Sequence, residues 1–284
     1  MNRDAAGRPY LASTFRITSV SEPVFPSPVP GAAPPELELA FGDLRLVGTS
    51  IAARATAFAV PEFGVALDIG RLTPTLAAQP TVLLSHGHLD HISGILAYLN
   101  LRVRFYPDAP PRVVAPAAVA EGLRRALELM PGMESVRKRV RLDEVIVAAE
   151  PGVAVPLAGG TATPFAADHG VPALGWALRR AGETRPALVF AGDGGVAPFA
   201  AEPGLLDAAV AVVECTFVER NRVIAARLAA HAHLADWFEL APRLACDALV
   251  LTHLPPLPSA ELAALARPLG AALGGRLVVW AVSD

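Results

Sequence analysis

The segment Ser85-His86-Gly87-His88-Leu89-Asp90-His91 constrains this chain more than any other, because it follows the apolar run Thr81-Val82-Leu83-Leu84 directly. A short apolar run that ends in a polar loop reads as a buried strand. Alternate residues of an extended loop point the same way, so His86 and His88 would grip one cation. Asp90 and His91, entering the following helix, would face a second. Imidazole and carboxylate are borderline ligands that suit zinc or manganese. A lone histidine is a common polar residue, but three histidines and one aspartate within residues 86–91, directly after a strand, form a ligand pattern.

Two cations need more ligands than one loop offers. The chain has seven histidines, and four lie outside the loop: His169, His231, His233 and His253. His169, Asp193 and His253 share one setting, a polar residue just past the end of an apolar run. Strand ends of α/β sheets are where ligand sites collect.

The rest of the chain supplies the frame for such a site. Strands are expected at Leu44–Gly48, Thr56–Val60, Val65–Ile69, Thr81–Ser85, Val113–Ala115 and Val145–Val147. A second set is expected at Val153–Val155, Thr161–Ala166, Trp176–Leu178, Ala187–Ala191, Val210–Val213, Leu249–Thr252 and Leu277–Ala281. Helical periodicity covers Ile92–Leu99, Ala117–Leu129 and stretches near 221–230, 233–240 and 259–268. Strands come first and alternating βα units follow, in both halves. That order suits an α/β four-layer αββα sandwich, with two sheets face to face and helices outside.

Composition sets the outer bounds. Of 284 residues, 53% are hydrophobic and 18% charged, which provides a sizeable core and excludes global disorder. No run of about 18 apolar residues predicts a membrane span, and the N-terminus has no apolar block of the secretory kind. The two cysteines, Cys215 and Cys246, make no disulfide framework; this fits a reducing, cytoplasmic setting. A net charge of −3 excludes a chain-wide basic coat for nucleic acid. The one basic run is Arg137-Lys138-Arg139-Val140-Arg141, read as a solvated face ahead of a phosphate contact. Residues 1–36 are proline-rich and read as an extended arm, leaving 37–284 as the folded domain.

The order His86-x-His88-x-Asp90-His91, then His169, Asp193 and His253, resembles the metallo-β-lactamase fold. Within that fold, the chain is most similar to ribonuclease Z of the short form. Gly48-Thr49-Ser50-Ile51 through Ala66-Leu67-Asp68-Ile69-Gly70 resembles the family's opening strands. Val213-Glu214-Cys215-Thr216-Phe217 resembles its glutamate motif, and His231-x-His233 its late histidine motif.

The resemblance implies a homodimeric metal-dependent hydrolase, a phosphodiesterase with two divalent metal ions per chain, zinc first and manganese second. His86, His88 and His169 would take one metal. Asp90, His91 and His253 would take the other, and Asp193 would bridge. The pair would lower the pKa of a shared water, and Asp90 would orient the resulting hydroxide. His233 is then expected as the general acid, held by Glu214, with His231 structural. Cys215, beside Glu214, is expected as a buried thiol rather than a nucleophile.

Two departures matter. Ribonuclease Z proper carries a long arm that grips tRNA, in some members between the positions of His169 and Asp193. Here only residues 179–186 separate the two expected strands. Asp193 is followed by Gly194, where the family often has threonine. A complete site without the arm favours a small phosphodiester substrate, such as a cyclic nucleotide or a short nucleic-acid end. A tRNA 3′-processing endoribonuclease is the alternative. A thioester, lactone or β-lactam hydrolase of the same fold is a further one, but those reactions do not require the Glu214/His233 pair. A non-catalytic binding protein on this scaffold would be expected to have lost ligands.

Overall fold

The structure is a computed structural model and describes residues 27–28 and 36–281. The expected arm, residues 1–36, therefore lies outside the described residues apart from Ser27, Pro28 and Glu36. The first sheet has eight strands in sequential order: β1 (Ser27–Pro28), β2 (Leu37–Phe41), β3 (Leu44–Ile51), β4 (Ala55–Val60), β5 (Val65–Leu67), β6 (Thr81–Leu83), β7 (Arg112–Pro116) and β8 (Ile146–Ala149). The second has seven: β9 (Val155–Leu157), β10 (Gly160–Ala166), β11 (Leu174–Arg180), β12 (Leu188–Phe190), β13 (Val210–Glu214), β14 (Ala248–Thr252) and β15 (Leu277–Val279).

Both sheets share one logic. β1 to β5 form an antiparallel meander, and β5 to β8 then run parallel. β9 to β12 are antiparallel, and β12 to β15 are parallel. Parallel neighbours need crossovers, and helices supply most of them. Helices Ile95–Phe105 and Ala117–Leu129 cover the outer face of the first sheet. Helices Leu234–Leu240 and Ser259–Ala272 cover the outer face of the second. Strands covered on both faces bury every residue: all six of β4 and all five of β13 are buried.

The core between the sheets is aromatic at its centre. Phe58, Trp176, Phe190 and Trp280 are all buried there. The Phe58 ring meets Trp280 edge-on, with centroids 5.0 Å apart. The layers are therefore helix, sheet, sheet, helix, as the order of elements predicts.

The local differences have physical causes. β2 has no counterpart among the expected strands, because Leu-Glu-Leu-Ala-Phe shows only a short alternation. Helix Ser259–Ala272 runs past Pro268, which carries no backbone N–H to donate. The expected helix at Ile92–Leu99 divides into a turn, Leu89–Ile92, and a helix from Ile95, with Gly94 between them.

Candidate metal centre

Five parallel strands end at one edge, and each delivers a polar residue there: Asp68 after β5, the 85–91 loop after β6, Asp193 after β12, Glu214 at the end of β13, and His253 after β14. His169 arrives from the antiparallel strand β10. The strands themselves are apolar because both their faces are covered, so polar groups collect where cover ends.

The donors meet in two sets. His86, His88, His169 and Asp193 place ligand atoms within 4.8 Å of one another, as do Asp90, His91 and His253. In the first set, His88 Nδ1 lies 2.9 Å from His86 Nε2 and 3.4 Å from His169 Nε2. In the second, His253 Nε2 lies 3.2 Å from Asp90 Oδ2. Asp193 stands between them, with Oδ1 3.3 Å from His91 Nε2 and Oδ2 3.3 Å from His253 Nε2 and 3.8 Å from His86 Nε2. Ligands of a tetrahedral ion bound at 2.0–2.2 Å sit about 3.3–3.5 Å apart. The spacing fits a cation in each set.

The hydrogen bonds behind the rings fix which nitrogen faces inward. Ser85 Oγ donates to Asp68 Oδ2 at 2.6 Å, so it accepts from His86 Nδ1 at 3.0 Å. His91 Nδ1 donates to Asp68 Oδ2 at 2.7 Å, and His169 Nδ1 to the Ala230 carbonyl at 3.0 Å. Thr216 Oγ1 donates to Glu214 Oε2 at 2.8 Å, so it accepts from His253 Nδ1 at 2.9 Å. With every Nδ1 proton spent outward, the Nε2 lone pairs of these four rings face the centre. His91 Nε2 is fully buried with no hydrogen-bond partner. An orphaned buried lone pair beside two carboxylates fits a divalent cation.

Electrostatics point the same way. Burial, helped by the charge of His91, pushes the His86 pKa down to about 2, which keeps its ring neutral and ligand-competent. Burial opposes charge on His91 too, but Asp193 and Asp68 outweigh it and drive its pKa up: this corner attracts positive charge. Burial would raise the Asp193 pKa, yet the His91 and His253 rings hold it well below the usual carboxylate range. Asp90 behaves alike, the neighbouring His253 and His91 rings bringing it to about 2 against burial.

The histidine that meets Glu214 differs from expectation. Glu214 does not hold His233. Both ring nitrogens of His233 are engaged by backbone: Nδ1 accepts from Ala235 N at 3.0 Å, and Nε2 donates to the Glu219 carbonyl at 2.9 Å. The ring caps helix Leu234–Leu240 in a capping box with Asp236. His231, expected to be structural, is the residue that meets Glu214, with Nδ1 2.8 Å from Oε1. Its ring stacks on His253, 5.7 Å between centroids and 12° between planes. Burial lowers the His231 pKa, but the Glu214 hydrogen bond and charge reverse this and raise it.

Glu214 is 1% exposed and is aimed by four further bonds, from the backbone N–H groups of Gly194, Ala232 and Thr216 and from Thr216 Oγ1. Gly194 thus contributes a backbone donor. At its φ of +147° a side chain would also press its Cβ to 2.8 Å from the Asp168 carbonyl, so the absence of threonine suits the chain path.

Three residues that position the ligands were given no role from the sequence: Asp68, Thr216 and Ser50, whose Oγ accepts from His253 N at 2.8 Å. Asp68 carried a legible signal, since it follows an apolar run just as His169, Asp193 and His253 do. Cys215 and Cys246 are free and buried, as a structural reading requires.

The comparisons with known proteins follow this geometry. The family profile described as beta-lactamase superfamily domain matches residues 63–254. The chloroplastic tRNase Z TRZ2 of Arabidopsis thaliana is 25% identical over 72% of this chain, which spans 66% of that protein. The ribonuclease Z of Kineococcus radiotolerans is 29% identical over 72% of this chain and 76% of that one. Among solved structures, YhfI from Bacillus subtilis, a metallo-beta-lactamase fold protein, superimposes with TM-score 0.61 at 18% identity, covering 83% of this chain and 95% of its own. The human tRNase Z short form gives 0.60 at 16% identity with the same coverage. The chain belongs to the beta-lactamase superfamily and is ribonuclease Z-like within it.

Proposed function

We propose that this metal-dependent hydrolase is a phosphodiesterase that cleaves at an RNA 3′ end. The observation that carries the reading is the Glu214–His231 pair, held at 2.8 Å beside two sets of inward-facing donors. Phosphodiester hydrolysis must protonate an alkoxide leaving group, and a histidine held by a carboxylate meets that need. Thioester, lactone and β-lactam hydrolysis does not call for it in the same way.

His86, His88 and His169 would hold one divalent cation, zinc or manganese; Asp90, His91 and His253 would hold a second, and Asp193 would touch both. Bound there, such cations supply Lewis acidity toward the phosphodiester oxygens and make water a stronger acid. His231 keeps Nδ1 on Glu214, which leaves Nε2 to carry the proton to the departing oxygen. Asp90, partly exposed at 14%, would accept a hydrogen bond from the attacking water and orient it. Asp68 and Thr216 keep the His91 and His253 rings turned inward. The reading carries a homodimer, as the resemblance to ribonuclease Z implies, and a hydrolase domain of residues 37–284.

The RNA assignment is supported by the curated relatives, which are named as tRNase Z and ribonuclease Z enzymes. One observation favours a second reading, a small diester such as a cyclic nucleotide. β11 and β12 are joined by residues 181–187 alone, a turn too short to be an RNA-gripping arm.

The test is cleavage of a precursor tRNA with a 3′ trailer by protein loaded with zinc or manganese, beside a His231→Ala variant. A discrete cut near the acceptor end, lost in the variant, supports the RNA reading. Intact precursor with rapid turnover of cyclic nucleotides would move the assignment to small diesters.

A further inference from the structure

The basic run 137–141 takes no part in the metal centre. It lines an open cleft of about 720 Å³ at the other end of the first sheet, where β6 and β7 begin. Pro80, Pro111, Arg112, Lys138, Arg139 and Arg141 are among the residues of its wall.

The charges there are unevenly compensated. Arg141 is spent on Asp143 at 2.8 Å and Glu144 at 3.1 Å, and Arg137 on Glu134 at 3.4 Å. Arg112 gives only Nη1 to the Pro156 carbonyl, and Arg139 only Nη1 to the Ser135 carbonyl. Lys138 is exposed, and its ammonium group makes no ion pair or hydrogen bond among the described residues. Among the described residues, three cations without a carboxylate partner thus share one concave wall, in a chain whose net charge is −3. Arg112 and Arg139 keep free guanidinium edges, the geometry that pairs with phosphate oxygens.

We propose that this cleft binds the phosphate backbone of a nucleic-acid strand, a second contact for the RNA substrate; the RNA identity rests on the function proposed above. The cleft and the donor sets lie at opposite ends of β6, separated by residues 81 to 86, on the order of 17 Å of extended chain. An RNA with its scissile bond at the metal centre reaches the cleft only if it extends several nucleotides beyond that bond. A cyclic nucleotide does not reach it. The cleft would therefore discriminate by substrate length, a property the catalytic residues alone do not supply.

The test is fluorescence anisotropy of a labelled single-stranded RNA across a salt series. The proteins are wild type, the triple variant R112Q/K138Q/R139Q and the double variant K138Q/R139Q, whose two side chains are both exposed. Each phosphate contact contributes about 0.7 to the slope of log affinity against log salt for single strands. The triple variant should be shallower by about 2 and bind roughly tenfold or more weakly; the double should be shallower by about 1.4. Hydrolysis of bis(p-nitrophenyl) phosphate, too small to reach the cleft, should be unchanged in both variants. Unaltered slopes and affinities in both variants would overturn the proposal. Tight binding of inorganic tripolyphosphate that leaves bound RNA in place would also overturn it, as a site for free polyphosphate. If wild type fails to hydrolyse the small diester, the proposed function falls, but the salt slopes still decide the cleft.

Discussion

His231 and His233 differ by two positions and should separate cleanly on mutation. Replacing His231 by alanine removes the proton donor while the metal donors stay in place. A positioned acid typically contributes about 10²–10⁴-fold, so turnover on an alkyl-leaving diester should fall by that factor, about 2.7–5.4 kcal/mol of barrier. On a p-nitrophenyl diester the leaving group needs little protonation, and the loss should shrink to under about tenfold. His233→Ala should behave in the opposite way. It removes a helix cap and a buried hydrogen bond to the Glu219 carbonyl, together about 2 kcal/mol. For a chain of this size that lowers the melting temperature by about 3–4 °C. The assay is kcat on both substrates with thermal melts on the same preparations. A hundredfold loss of turnover in His233→Ala at unchanged stability, with His231→Ala near wild type, would refute the assignment.

Asp68→Asn should turn the His91 ring loose and weaken metal binding by about 10–100-fold, measured by competition with a chromophoric chelator; unchanged affinity would deny Asp68 its positioning role. Asp193→Ala should abolish most of the melting-temperature rise that zinc or manganese gives the wild type, because the Asp193 carboxylate lies between the two donor sets. Gly192→Ala should destabilise by about 1–3 kcal/mol in urea unfolding, since the residue has a φ of +65° and its new Cβ would lie 2.6 Å from the Ser85 Cβ. Burial pushes the Cys246 thiol up to about 11 and the Cys215 thiol well above its ordinary range. Thiol reagents at pH 8 should therefore label neither until guanidinium unfolds the chain, and fast labelling of the native protein would contradict that burial.

Much of the architecture was legible from local pattern. Apolar runs bounded by polar turns mark strands such as Val210–Val213 and Leu249–Thr252, because strands covered on both faces tolerate little else. β2 escaped because a strand of five residues carries too short an alternation to separate from a loop.

The metal loop was legible for a different reason. Residues 86–91 are close in sequence as well as in space, so their spacing alone marks them as candidate ligands. Asp68, His169, Asp193 and His253 come together only because five parallel strands and one antiparallel strand end at the same edge. Sequence supplied their shared setting, and the stacking of two sheets supplied their convergence.

The choice between His231 and His233 was beyond sequence altogether. Two histidines in Ala230-His231-Ala232-His233-Leu234 are equivalent as a pattern. The chain turns at Ala230 with a φ of +54°, and helix Leu234–Leu240 begins just after His233. An N-cap side chain is bound by its own helix, and that spends the His233 ring on backbone. The residue two positions earlier is left free to meet a glutamate from another strand. Composition and spacing marked a candidate metal centre with a histidine near Glu214; only the tertiary structure, by fixing where one helix starts, decided which histidine meets that glutamate.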